Sequence, residues 1–234
     1  MGELDRATEL RHTVLQYFML PEPMWTEWID DCANYFQSQN IAELFEKAFA
    51  DYLYPSLSLK FLTQATEPSE RAEEIVSVYG STDDQIWRAY TQLNDAQQQR
   101  ERPKLPSNHS QFESDYQHCL RQMTENEDIA PMLEHLGKLK SFKNYHYTRL
   151  YFEQLLPQFT LNPDLWQLYI GLTVEQSPHH VFSVHTRALK NLYHSADIWC
   201  SYALCQEQRA VEPHFVIKLL TEQAITQAED MFAV

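Results

Sequence analysis

Aromatic pairs recur along this chain at a spacing close to 33 residues, and this recurrence strongly restricts the fold. Trp166 and Tyr169 lie three positions apart, and Trp199 and Tyr202 repeat the pair 33 residues later. Three further pairs keep a similar register, namely Trp25 with Trp28, Ser58 with Phe61, and Trp87 with Tyr90. A fixed period of this length is the signature of a repeat protein whose unit is a pair of helices.

A second apolar landmark follows the ring pairs after 22 to 25 residues, in the segments LFEKAF (44–49), YFEQLL (151–156), VHTRAL (184–189) and LTEQAI (220–225). Two helices of about 12 to 15 residues with short turns fill such a period, and each needs its neighbour to bury its apolar stripe. We therefore predict an all-α solenoid of about six helical hairpins that form a right-handed superhelix.

The recurring side chains are predicted to pack between consecutive hairpins. Rings three positions apart stay on one helix face, and each buried ring removes roughly 150 to 250 Å² of surface from water. The predicted packing residues are Trp25, Trp28, Phe45, Ala48, Phe61, Trp87, Tyr90, Phe152, Trp166, Tyr169, Ala188, Trp199 and Tyr202. The alternative is an aromatic cage or a base-stacking platform, and we favour packing.

Local signals also favour helices. Asn162 before Pro163 and Ser177 before Pro178 place a capping side chain ahead of a proline at the first helical position. Three stretches have the form of a capping box or a near variant, namely Asn40-x-x-Glu43, Thr82-x-x-Gln85 and Ser110-x-x-Glu113. Only four of the 234 residues are glycines, whereas β-rich folds and phosphate-binding loops use glycine in their turns.

The repeat pattern weakens in the middle of the chain. The polar stretch 96–110 contains two prolines and is predicted to be a long loop. We expect an N-terminal helix over residues 1–20 and a first set of repeats over 21–100. A degenerate repeat with its connector is expected over 101–130, followed by a second set of repeats over 131–234.

The charge of the chain is strongly acidic, with a formal net charge of -15. Residues 1–99 alone hold 17 acidic and 6 basic side chains. A field of this sign repels polyanions and attracts basic protein segments. We predict an acidic partner surface at Glu27, Asp30 and Asp31.

Cysteine usage and hydropathy indicate an intracellular protein. The four cysteines form no Cys-x-x-Cys pair, and no charged-then-apolar leader opens the chain. No apolar run approaches the roughly 20 residues that a membrane span needs.

Catalytic and metal-binding patterns are weak. In PHHVFSVH, His180 and His185 are five positions apart, a spacing that does not share a helix face and does not suit a zinc site. His185 holds a position that phenylalanine takes in other repeats, so we interpret it as a packing ring. No nucleophile elbow or glycine-rich phosphate loop occurs. We expect no enzyme activity, no metal and no cofactor.

One segment, GKLKSFKNYHYTRLY (137–151), opposes the overall charge. Lys138, Lys140, Lys143 and Arg149 alternate there with aromatic rings, a combination that suits single-stranded RNA. The competing interpretation is a repeat boundary, with helices over 133–140 and 145–156 and the rings turned inward. We favour the boundary and keep RNA contact as the alternative.

The combined pattern is similar to a known repeat. A Trp-x-x-Tyr pair followed by Phe-Glu-Lys-Ala or Arg-Ala-Leu resembles the half-a-tetratricopeptide (HAT) repeat of RNA-processing factors. Ordinary tetratricopeptide repeats want a glycine in the first helix, and only Gly171 lies near such a position. The resemblance rests on MWTEWIDD (24–31), ELFEKAFADYLYP (43–55), IWRAY (86–90), NPDLWQLY (162–169) and SVHTRALKNLYHSADIWCSYAL (183–204). Within this group the chain resembles the N-terminal repeat region of the spliceosomal U4/U6 snRNP recycling factors.

This resemblance implies a nuclear, non-catalytic scaffold that docks protein partners in pre-mRNA splicing or in U4/U6 snRNP assembly and recycling. In that family the partners include snRNP proteins and ubiquitin-specific proteases, and RNA is bound by RNA-recognition motifs that follow the repeats. No such motif is recognisable here, so we do not expect this chain alone to bind RNA. The alternatives are a directly RNA-binding repeat protein, or a dimeric scaffold of another complex, such as 3′-end processing or ribosome biogenesis.

Overall fold

The computed structural model describes residues 2–35, 41–126 and 128–208. Within these ranges every regular element is a helix. The α-helices are α1 (Gly2–Tyr17), α2 (Glu22–Tyr35), α3 (Ile41–Asp51), α4 (Pro55–Gln64), α5 (Glu70–Tyr79), α6 (Asp84–Thr91), α7 (Asp95–Gln98), α8 (His109–Asn126), α9 (Ala130–Gly137), α10 (Tyr145–Leu155), α11 (Pro163–Gln176), α12 (Val181–Asn191) and α13 (Ala196–Gln208). Short 3₁₀ helices span Lys138–Phe142 and Pro178–His180. The predicted all-α repeat class is confirmed, whereas the handedness of a superhelix stays a prediction.

The recurring rings occupy the interior. Trp25, Trp28, Tyr90, Trp166 and Tyr169 have no solvent-exposed surface. Six more of the predicted packing residues are also buried, namely Phe45, Ala48, Phe152, Ala188, Trp199 and Tyr202. The remaining two, Phe61 and Trp87, are partly buried against the same core.

Two tryptophans of the repeat are anchored identically. The indole Nε1 of Trp166 donates to the carbonyl of Thr160 at 2.7 Å, and that of Trp199 donates to the carbonyl of Tyr193 at 2.7 Å. In both cases the acceptor lies six residues earlier, in the turn before the helix. The bond satisfies the one polar atom of a buried ring. The two repeats therefore share this contact as well as their sequence pattern.

Helix starts follow the predicted caps in part. Asn162 accepts from the backbone N–H of Leu165 at 2.9 Å, with Pro163 at the first helical position, as predicted. Ser177 takes the predicted cap position before Pro178, but its hydroxyl contacts His180 Nδ1 at 2.7 Å and caps no backbone group.

Two of the predicted capping boxes are wrong and one lies outside the described residues. Asp83 caps α6 in place of Thr82, whose hydroxyl donates to the carbonyl of Tyr79. Ser110 lies inside α8, because the helix already begins at His109. Asn40 belongs to the part of the chain that the structure does not describe.

Neighbouring helices in the chain pair into hairpins, as α2 does with α3 and α11 with α12. The middle of the chain forms a hairpin of its own from α8 and α9. A less local contact joins α5 to α10, which are separated by residues 80–144. The N-terminal hairpins therefore pack directly against the C-terminal ones.

Candidate protein-docking groove

A groove of about 690 Å³ lies between α3 and α5 and is rimmed by carboxylates. Its lining residues are Ala42, Glu43, Glu46, Phe61, Ser69, Glu70, Arg71 and Glu74. Four of these side chains are acidic and one is basic, so the groove carries negative charge.

Helical geometry brings the four carboxylates to one surface. Glu43 and Glu46 are three positions apart on α3, and Glu70 and Glu74 are four apart on α5, spacings that keep side chains on one helix face. Ser69 fixes the start of α5 by accepting from the N–H of Ala72 at 3.2 Å. Glu70 then lies in the first turn, where the helix dipole favours negative charge.

Arg71 bridges the two sides of the groove. Its Nε lies 3.1 Å from Glu46 Oε2, and its Nη1 contacts the carboxylate of Glu74. Burial alone would lower the pKa of Arg71, but the hydrogen bond to Glu46 and the charge of Glu74 outweigh it and raise that pKa. The guanidinium therefore stays charged.

The outer carboxylates remain accessible to a partner. The side chains of Glu43 and Glu46 are 61% and 50% exposed, and Glu70 is exposed as well. Glu43 pairs with Lys47 on its own helix at 2.8 Å, and its hydrogen bond to Lys47 lowers the pKa of its carboxyl. Glu43 and Glu46 each have a cationic neighbour, yet their exposed oxygens and those of Glu70 can also contact a cationic partner.

The acidic residues predicted from the sequence lie elsewhere, on α2. Asp30 contacts Lys60 at 2.5 Å, and Asp31 contacts Arg11 at 2.6 Å. Glu27 lies 3.5 Å from the same Arg11. The structure does not bring these three carboxylates into the groove, and each already has a cationic neighbour.

Sequence reasoning missed the groove although part of its signal was visible. Glu73 and Glu74 are adjacent on α5 and point to different faces of the helix. Glu73 accepts from the hydroxyl of Tyr90 at 2.7 Å, whereas Glu74 lines the groove. The spacing within α3 and α5 could have indicated two acidic faces, but the sequence does not show that these faces meet.

The basic segment 137–151 is divided between surface and core. Tyr145, Tyr147 and Tyr151 are buried, as the repeat-boundary interpretation expected. Arg149 is also buried, and it contacts Glu74 and Glu153. This part of the chain therefore offers no exposed tyrosine platform on which bases could stack.

The three lysines of that segment behave differently from Arg149. Lys138 and Lys143 are exposed, and Lys140 contacts Glu175 at 2.6 Å. Lys143 has a positive φ of 50° at the end of the 3₁₀ helix. The predicted RNA-contact set is thus three surface lysines and one interior arginine.

Two of the three histidines of PHHVFSVH, His180 and His185, have structural contacts. His180 stacks on Tyr145 with ring centroids 4.5 Å apart. His185 is buried, its Nδ1 lies 2.9 Å from the carbonyl of Val181, and its Nε2 lies 2.9 Å from Ser201 Oγ. Across residues 2–35, 41–126 and 128–208, no group of three metal-ligating side chains converges. Over the same ranges, no helix combines the length and apolarity required for a bilayer span.

The burial of His185 gives a pH dependence. Burial lowers the pKa of His185 below its ordinary value of 6.5, so the unfolded chain binds a proton more readily than the folded chain does. We expect this contribution to stability to be complete above pH 6.5 and to be lost as the pH falls below it. In urea titrations between pH 7.5 and 5.5, His185→Gln should reduce the slope of unfolding free energy against pH by up to about 1.4 kcal/mol per pH unit.

The control for this measurement is His118→Gln, since His118 is exposed on α8. That variant should keep the slope of the unchanged chain. Equal slopes for His185→Gln and the unchanged chain would show that His185 titrates alike in the folded and unfolded states.

Comparison with known proteins identifies relatives by sequence. No protein-family model matches the chain. It is 26% identical to "Spliceosome associated factor 3, U4/U6 recycling protein" of Mus musculus and 25% identical to the proteins of that name from Pongo abelii and Homo sapiens. Each alignment covers 96% of this chain and 29% of the relative. The resemblance to a U4/U6 recycling factor is thereby confirmed: over nearly all of its length, this chain is similar to about three tenths of spliceosome associated factor 3.

Proposed function

We propose that this chain is a non-catalytic protein-interaction scaffold of RNA processing, which acts in the nucleus in pre-mRNA splicing or in U4/U6 snRNP assembly and recycling. The observation that carries the docking part is the acidic groove between α3 and α5. The assignment to splicing is supported by the similarity to relatives named as a U4/U6 recycling protein.

The groove suits a basic segment of a protein partner. Phe61 contributes an apolar surface, and Glu43 and Glu70 stand at its rim with exposed carboxylates. Lysine and arginine can lay their aliphatic stems on an apolar surface while their charged ends reach carboxylates. Such a segment would gain both contacts at once.

A protein partner is favoured over RNA for two reasons. The net charge of -15 opposes a polyanion, whereas it draws a basic peptide toward the chain. In addition, the three tyrosines that follow the lysines are buried and do not present their faces to solvent. The exposed Lys138 and Lys143 offer two positive charges, which is a small number of phosphate contacts for a nucleic acid.

The groove is tested by reversing two of its charges. We expect Glu43→Lys/Glu70→Lys to weaken binding of a fluorescently labelled arginine- and lysine-rich peptide by roughly tenfold, because two exposed carboxylates at about 0.5–1 kcal/mol each are replaced by cations. Fluorescence anisotropy at about 0.05 M and 0.5 M salt measures the affinity. Both residues lie outside the buried ion pairs, so the fold should be retained.

The matched control is Glu125→Lys/Glu134→Lys, which changes the net charge equally at exposed residues of α8 and α9. This variant should keep most of the affinity. Equal losses in the two variants would mean that the peptide responds to net charge and not to the groove. Binding that is unaffected by salt would indicate apolar docking instead. The splicing role is tested separately, by measuring whether U4 and U6 RNA co-purify with the chain from nuclear extract.

A further inference from the structure

Charged side chains alternate in sign across four helices that follow one another in space. Glu46 of α3 meets Arg71 of α5, Glu74 of α5 meets Arg149 of α10, and Glu153 of α10 meets Arg187 of α12. Each arginine thus binds a carboxylate of the preceding helix in this order. The last step is the most complete, because Arg187 Nη1 and Nη2 lie 2.7 and 2.9 Å from the two oxygens of Glu153.

This series of ion pairs returns to the helix at which it began. Arg187 Nε donates to the carbonyl of Asp51, at the end of α3, at 2.7 Å. Lys190 Nζ lies 2.9 Å from Asp51 Oδ1. Asp51 Oδ2 in turn accepts from the N–H of Leu20 at 2.9 Å and from Trp25 Nε1 at 3.2 Å. Residues 136 positions apart in the sequence are therefore bonded directly.

The turn between α3 and α4 lies inside this set of contacts. Tyr52, Leu53 and Tyr54 are all buried although they are not helical. A buried turn must find partners for its backbone groups, because water cannot reach them. Leu53 N–H donates to Glu153 Oε2 at 3.0 Å, and the carbonyl of Leu53 accepts from the hydroxyl of Tyr79.

These contacts differ from those of a simple stack of repeats. In such a stack each repeat contacts only its neighbours, and the curvature can vary by small changes at every interface. Here Leu53 binds Glu153 and Asp51 binds Arg187 across the array. Small adjustments at one interface cannot change the curvature unless these bonds break.

We propose that Asp51, Leu53, Glu153 and Arg187 form a clamp that fixes the orientation of the N-terminal hairpins (α2–α5) relative to the C-terminal hairpins (α10–α13). The array is then a preformed body with a set curvature. It opens only by losing the clamp as a unit, since Glu153 serves both Arg187 and the turn. This inference does not depend on the identity of any partner.

Because Glu153 binds both Arg187 and Leu53, the bonds of the clamp are expected to break together. Its side chain is fully buried, and its two oxygens accept from Arg187, from Arg149 Nε at 3.3 Å and from Leu53 N–H. A buried carboxylate is tolerated only when it is paired and hydrogen-bonded in this way. A glutamine has one acceptor oxygen, and its NH₂ group would face donors of Arg187 and of either Arg149 or Leu53, which would then lose their acceptor.

The clamp is tested with Glu153→Gln on the full chain. Small-angle X-ray scattering should show a larger radius of gyration, and amide exchange in a peptide containing Leu53 should become at least tenfold faster. The matched control is Glu175→Gln, which removes the exposed ion pair with Lys140. That variant should leave both quantities unchanged. Equal results for the two variants would overturn the proposal.

A second variant keeps the test informative if Glu153→Gln does not fold. Arg187→Lys keeps the buried positive charge but removes the paired hydrogen bonds to both oxygens of Glu153 and the bond to the carbonyl of Asp51. We expect circular dichroism to show retained helices, together with faster exchange at Leu53 and a larger radius of gyration. Unchanged exchange and radius in this folded variant would also contradict the clamp.

Discussion

Replacement of Arg187 with alanine is expected to lower the free energy of unfolding by about 3–5 kcal/mol, which is the usual cost of leaving a buried charge without its partner. The truncation removes both hydrogen bonds to Glu153 and the bond to the carbonyl of Asp51. Among the described residues, Glu153 would keep Arg149 as its cationic partner. Urea denaturation monitored by circular dichroism measures the change.

Arg187 also packs through its flat face, and a second variant separates packing from charge. Its guanidinium lies 5.3 Å from the ring of Tyr52 and 5.7 Å from that of Trp166. Arg187→Met retains most of the side-chain volume, so any stability it restores measures packing rather than pairing. The exposed Lys140→Ala should cost no more than about 1 kcal/mol. An equally small effect of Arg187→Ala would show that the buried pair contributes no net stability.

Trp166→Ala is expected to have a comparable effect, a loss of about 3–5 kcal/mol. The ring is fully buried, and its removal leaves a large cavity that the surrounding side chains can fill only in part. The carbonyl of Thr160 would also lose its indole donor. Thermal and urea unfolding of the purified variant provide the measurement.

Two comparisons test whether the loss of stability depends on the burial of the ring. Trp166→Phe keeps much of the apolar volume and should be markedly milder than the alanine variant. Trp87→Ala should also cost less, because Trp87 is only partly buried. If the three variants lowered the free energy of unfolding equally, burial of the ring would not account for the stability that Trp166 contributes.

The helical class and the start of α11 could be predicted because their causes are local. A ring pair three positions apart marks one face of a helix, and Asn162 before Pro163 marks its start, whatever the rest of the chain does. Predictions failed where two neighbouring residues compete for one role. Asp83 and Thr82 can both cap α6, and the cap went to the carboxylate, which accepts two backbone N–H bonds.

The candidate groove could be predicted only in outline. An acidic N-terminal half follows from counting charges, but the choice of Glu27, Asp30 and Asp31 did not include the residues that line the groove. Those carboxylates have Arg11 and Lys60 as neighbours, contacts that join different helices. Which carboxylates share one surface cannot be told from the sequence until the packing of the helices is known.

The sequence by itself determined that this chain forms paired helices and that its recurring rings share one helix face. Both follow from helix periodicity and capping, which act over a few residues. Only the tertiary structure decided which charges are buried. Arg149 belongs to the same basic segment as three exposed lysines, yet it lies in the core. Its helix, α10, packs against α5, and α5 supplies the carboxylate of Glu74. Burial of an ion requires partners, and Glu74 reaches Arg149 from a distant part of the chain, where no local pattern specifies it.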